Sequence, residues 1–103
     1  RLDNFAMVMK RYGDVDKTLW LTETGFTSGD NGDAYGGHLD ESGQDEALRM
    51  EYEETSGYDQ VETVFWRYAY DIDTYMGLTR RDASLKPSWH EFTRLIIGGK
   101  GGD

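Results

Sequence analysis

Cysteine is absent from the 103 residues, so the chain forms no disulfide and offers no thiolate to a metal. That absence leaves the redox compartment, and with it the localisation, open. Basic residues are scarce: eleven Lys and Arg face twenty Asp and Glu, for a formal net charge of -9. Such a balance argues against nucleic acid or an anionic membrane as partner. No apolar run approaches the roughly 20 residues of a membrane span, and no signal peptide is visible. Two histidines, His38 and His90, are too few and too far apart in sequence for a zinc site. The expectation is therefore no metal and no cofactor. Proline occurs once, at Pro87. What is plentiful is aromatic: three Trp, seven Tyr and four Phe exceed what a small core requires and suit ligand stacking as well as packing.

The length allows one small domain. Residues 1–12 read as a helix, because Leu2, Phe5, Ala6, Met9 and Tyr12 recur at helical spacing, with Gly13 as a left-handed C-cap. Residues 18–22 read as a strand that runs into Glu23, with Gly25 letting the chain turn away. A Gly-rich loop over 25–41 follows, and loops of that length are usually functional or mobile. Its oxygen-bearing residues, from Asp30 to Glu41, do not match an EF-hand, which favours a solvated loop over a calcium site. Ser42 and Asp45 have the spacing of a capping box, so a helix is expected over about 43–55 with Ala47, Leu48 and Tyr52 inward. A second strand is expected over 61–70 and loop over 71–85. A last helix opens at Pro87 and buries Trp89, Phe92, Leu95 and Ile96. Residues 1–97 form the domain, and 98–103 a flexible Gly-rich tail.

The order helix, strand, helix, strand, helix predicts an α/β fold with two parallel strands and a right-handed crossover. Two strands are too few for an independent sheet and leave open edges. The chain begins at Arg1 in mid-element, which reads as a piece of a longer architecture or a processed product.

In parallel sheets, ligands gather at the C-terminal strand ends, where Glu23 stands. A carboxylate there can serve as nucleophile, base or metal ligand, or can be a solvated strand end. Trp66, at the end of the second strand, shares a face with Glu23 if the strands pair in register. Its indole is then either a flat platform for a sugar ring or a core residue.

Two segments carry a resemblance to a known family. LWLTETG is similar to the seventh-strand motif of clan A glycoside hydrolases, in which the catalytic Glu precedes Gly. VFWRYAYD, followed by GLTRRDASLKPSWHEFTRLI, resembles the eighth strand, its loop and its closing helix. Phe65, Trp66, Gly77, Leu78, Asp82, Lys86, Pro87, Trp89 and Phe92 match in order. The resemblance implies a partial (β/α)8 TIM barrel, comprising its seventh and eighth β/α units, and a carbohydrate substrate. It makes Glu23 the nucleophile of a retaining mechanism and Trp66 the platform at the cleavage point. By position, Phe26, Tyr35 and His38 after the nucleophile strand line further sugar sites, and Arg67 and Asp71 either bond sugar hydroxyls or make ordinary surface or ion-pair contacts. The second carboxyl such an enzyme needs, roughly 5 Å from the first, follows an Asn in the family, and no Asn-Glu pair occurs in this chain. Asp71, Asp73 or a Glu from another copy are the substitutes that remain.

Two readings follow. The chain is the C-terminal portion of a retaining glycoside hydrolase that needs a complementing barrel portion. Alternatively, it is a non-catalytic module that self-associates into a homo-oligomer through its sheet edges and keeps residual carbohydrate binding.

Overall fold

The computed structural model describes residues 2–29, 39–72 and 75–98. The elements run α1 (Leu2–Arg11), β1 (Leu19–Thr24), α2 (Glu41–Ser56), β2 (Val61–Trp66), β3 (Tyr68–Tyr70), β4 (Gly77–Thr79) and α3 (Pro87–Ile97). Helices and parallel strand pairs make this an α/β fold. β1 and β2 pair in parallel across the α2 crossover, as the strand–helix–strand order requires. The expected long second strand is instead broken at Arg67. Beyond the break, β3 pairs in parallel with β4, in the stretch read from sequence as loop. Among the described residues there are thus two two-stranded sheets rather than one.

α1 ends in a Schellman motif. Asp14 N–H donates to the Met9 carbonyl and Gly13 N–H to that of Lys10, with Gly13 at φ 78°. None of the described residues of α1 is buried, and the stripe expected to pack leaves Phe5 59 % and Tyr12 73 % exposed.

Asp40 caps α2, accepting from Gly43 N–H at 2.7 Å. The helix therefore starts earlier than the Ser42–Asp45 capping box would place it, and Ser42 is exposed in the first turn. Asp45 loses the role that box gave it: its Oδ1 is buried without a hydrogen-bond partner. Burial, with the Glu91 carboxylate second, holds the Asp45 carboxyl above its ordinary range. A raised carboxyl binds its proton more readily folded than unfolded. Its contribution therefore improves stability as pH falls through the folded value and is lost as pH rises through it. Asp45→Asn should gain about 0.5–1 kcal/mol near neutral pH, read from urea unfolding, and this gain should shrink in acid. Glu41 works in the opposite sense. Its bidentate pairing with Arg80, at 2.7 and 2.8 Å, lowers its carboxyl, so this contribution is lost as pH falls. The pair is partly exposed, so solvent screens it and its contribution is small.

α2 and α3 pack together. The Tyr52 and Phe92 rings meet edge to face at 5.8 Å, and the Tyr52 hydroxyl donates to the Val64 carbonyl of β2. Burial pushes that phenol up to about 12. α3 opens at Pro87 as expected, whereas Ile96, assigned to its inner stripe, is 63 % exposed.

Among the described residues the buried apolar set is small, comprising Leu48, Val61, Met76 and Leu78, and buried polar residues outnumber it. The Lys86 ammonium, fully buried, donates to Asp71 Oδ1, Ser28 Oγ and the Gly77 carbonyl, each at 2.9 Å. The Gln44 amide NH2 donates to the carbonyls of Phe26 and Gly77, while its oxygen accepts from the Ser88 hydroxyl. This cage fastens both helices and β4 to the segment leaving β1. Gly25 lies on that segment, with its φ outside the left-handed region. A Cβ there would come within 2.8 Å of Met76 Cε, so close approach, not turn geometry, is what favours glycine at this position.

Candidate functional site

The C-terminal ends of β1 and β2 form one rim. Strand alternation brings Glu23 to the end of β1, and Trp66 closes β2 before the bend. The pairing is not in simple register, however. Shifts fall between Leu19 and Trp20 and between Leu21 and Thr24, so Trp66 stands opposite Thr24. A shared face for Glu23 and Trp66 therefore does not follow from alternation, contrary to the in-register expectation.

The structure couples each of the two to a different neighbour. Glu23 Oε1 is 3.1 Å from Arg67 Nε, and the Glu23 side chain stays 66 % exposed. The Arg67 guanidinium also lies 4.8 Å from the centroid of the Tyr68 ring. Trp66 donates its indole N–H to the Met76 carbonyl at 2.9 Å, and its ring lies 6.2 Å from that of Phe26. Phe26 joins the two halves, because it also lines the cleft that Glu23 borders, a space of about 480 Å³. The aromatic pair is held from behind. Ser28 N–H donates to the Tyr75 carbonyl, which fixes the segment after β1 against the chain that carries Met76.

Asp71 is not at the rim. It is 4 % exposed, its Oδ1 accepting from Lys86 Nζ at 2.9 Å and from Gly77 N–H at 2.8 Å. A carboxylate so enclosed reaches neither a sugar hydroxyl nor a leaving group, which corrects both its assignment to substrate binding and its use as a substitute acid/base. Tyr35 and His38, placed by position in further sugar sites, lie outside the described residues, as do Asp73 and residues 30–38 of the Gly-rich loop. The remaining oxygen residues of that loop are committed: Asp40 caps α2 and Glu41 pairs with Arg80. Among the described residues, no group of three His, Cys, Asp or Glu could hold a metal ion. Among these residues, too, no helix is long and apolar enough to cross a membrane.

Sequence reasoning missed the cage behind the rim. Gln44, Lys86 and Ser88 are polar residues without periodicity, and polar residues ordinarily mark surface. The one available signal was Lys86 directly before the helix-opening Pro87. Chemically, the rim offers an exposed carboxylate, a guanidinium beside it and two packed aromatic rings, a set suited to an uncharged, hydroxyl-bearing ligand. Comparison with protein-family models, with curated proteins and with solved structures gives no match.

Proposed function

We propose that the chain is the C-terminal portion of a retaining (β/α)8 glycoside hydrolase, its seventh and eighth β/α units, acting on O-glycosidic bonds of a saccharide. The observation that carries this reading is an exposed carboxylate, Glu23, ending a parallel strand next to the strand that ends in Trp66. Both lie in the segments that resemble the family's nucleophile and platform motifs.

In this reading a Glu23 carboxylate oxygen attacks the anomeric carbon. The bond from that carbon to the leaving-group oxygen breaks with its electron pair, and a glycosyl ester forms on Glu23. Water then cleaves the ester and restores the carboxylate. Arg67 keeps the carboxylate oriented through its 3.1 Å contact. Trp66, steadied by its bond to the Met76 carbonyl and by Phe26, supports the apolar face of the sugar. The acid/base carboxyl comes from a complementing barrel portion, since Asp71 is spent on Lys86.

An activated aryl glycoside tests Glu23 nearly alone, because a good leaving group needs little help from an acid. The expected result is a mass increment of one glycosyl unit mapped to Glu23, absent in Glu23→Gln. Failure to label Glu23, together with unchanged turnover in Glu23→Gln, would sink the enzymatic reading. The second reading, a non-catalytic self-associating module, is favoured by the one-sided pairing of β1 and by the commitment of Asp71. It predicts saccharide quenching of Trp66 fluorescence without any label on Glu23.

A further inference from the structure

Neighbouring residues of a strand point to opposite faces, so an Arg and the Tyr that follows it do not ordinarily meet. Here they do. The chain bends at Arg67, between β2 and β3, and the Arg67 guanidinium lies over the Tyr68 ring, 4.8 Å from its centroid. Arg67 is held at its backbone as well, where its N–H donates to the Thr24 carbonyl at 2.8 Å. That bond fixes it beside the end of β1, and its Nε lies 3.1 Å from Glu23 Oε1. Tyr68 is half-buried and pairs with Gly77 of β4. Gly77 in turn donates its N–H to Asp71, while its carbonyl accepts from Lys86 and Gln44. One line of contacts thus runs from the buried cage to the exposed carboxylate. Every contact in it lies within this chain, so it forms without a complementing barrel portion.

We propose that Tyr68 is a positioning residue: its ring holds the Arg67 guanidinium against Glu23 and so sets the direction of the carboxylate that attacks the sugar. An exposed Arg–Glu pair is ordinarily weak, because two long side chains must give up their freedom to share one geometry. For Arg67 the backbone bond and the ring remove much of that freedom beforehand. A planar guanidinium suits this task, since it can lie flat on a ring while its edge meets a carboxylate. The break in β2 then has a use. It turns the chain so that β3 docks on β4, and the docked Tyr68 anchors the cation. The inference rests on the reading above in treating Glu23 as the reacting group. The ordering of the Arg67 side chain stands apart from that reading.

The first measurement is nitrogen-15 relaxation of the arginine Nε atoms, which reports side-chain order without any turnover. Tyr68→Leu should lower the Arg67 order parameter by about half, and Tyr68→Phe, which keeps the ring, should restore it. Arg94, paired with Glu91 on α3, is the internal control and should not change. The second measurement is glycosylation of Glu23 by an activated aryl glycoside. Tyr68→Leu should slow it about tenfold with KM held within about twofold, because Tyr68 does not touch the sugar. Combined with Arg67→Gln, it should add less than about twofold to the loss from Arg67→Gln alone. Arg67→Lys, a change at an exposed side chain, should lose nearly as much as Arg67→Gln, since an ammonium keeps the charge but not the flat stacking. An unchanged Arg67 order parameter in Tyr68→Leu would overturn the proposal, as would equal loosening of Arg67 and Arg94. Full glycosylation in Arg67→Lys, or a raised KM with the rate preserved in Tyr68→Leu, would overturn it too. If the unaltered chain takes no glycosyl label, the glycosidase reading fails by itself, and the relaxation data alone decide whether Tyr68 holds Arg67.

Discussion

Lys86→Met should cost about 3–5 kcal/mol, a large share of the roughly 5–15 kcal/mol that holds a small domain folded. The side chain is fully buried, and its three N–H donors face four acceptors: Asp71 Oδ1, Ser28 Oγ and the carbonyls of Gly77 and Tyr75. Methionine fills similar volume but leaves the Asp71 carboxylate buried, with Gly77 N–H as its remaining partner among these contacts. The penalty is that of an uncompensated charge rather than of lost packing. Two controls separate these. Asp71→Asn alone should also destabilise, and Asp71→Asn with Lys86→Met should cost clearly less than the two single losses summed. The measurement is the urea midpoint at constant m. If Lys86→Met shifts stability by under about 1 kcal/mol, the cage is not what ties α3 and β4 to the segment leaving β1.

What the sequence made legible and what it hid divide along physical lines. The ends of α1 and α3 were readable because Gly13 and Pro87 have backbone conformations that few other residues share. The parallel pairing of β1 and β2 was readable because a helix between two strands leaves little else. The break at Arg67 was not, since residues 61–70 alternate well enough for one strand. What ends it is the docking of β3 on β4, a tertiary contact. The apolar stripe of α1 was found correctly, yet periodicity says only that a face is apolar, not that anything covers it. Asp40 and Ser42 compete for one cap, and the competition is settled by geometry two residues away. At the rim, Glu23 and Trp66 stand out in the sequence by their places at strand ends and by motif. Their separate partners, Arg67 and Phe26, depend on register shifts that no pattern of residue types encodes. Asp71 makes the ion-pair contact that was the alternative to sugar binding, but its burial was not legible: a carboxylate after a strand ordinarily meets solvent, and only a buried lysine fifteen positions on turns it inward.

Gly77→Ala is the second large effect, and it reaches the rim. A Cβ at this position would sit 2.2 Å from the Tyr70 carbonyl carbon and 2.5 Å from Asp71 N. Both are backbone atoms, so no side chain can swing aside. The clash forces β3 and β4 apart, with an expected cost of about 3 kcal/mol or more, beyond the usual range for overpacking. The same shift pulls Gly77 N–H from Asp71 and the Gly77 carbonyl from Lys86 and Gln44. Gly77→Ala and Lys86→Met should therefore be less than additive, since each damages the same cage. Gly25→Ala makes the contrast. Its nearest neighbour is the flexible end of Met76 at 2.8 Å, which can move at smaller cost. The functional consequence follows from Met76, which precedes Gly77 and supplies the carbonyl that accepts the Trp66 indole N–H. Separating β4 from β3 releases that indole, so Gly77→Ala should also alter Trp66 emission at denaturant concentrations where the helical signal is intact. An unchanged stability and an unchanged Trp66 environment in Gly77→Ala would mean that the close approach of Gly77 to Tyr70 does not hold the rim in place.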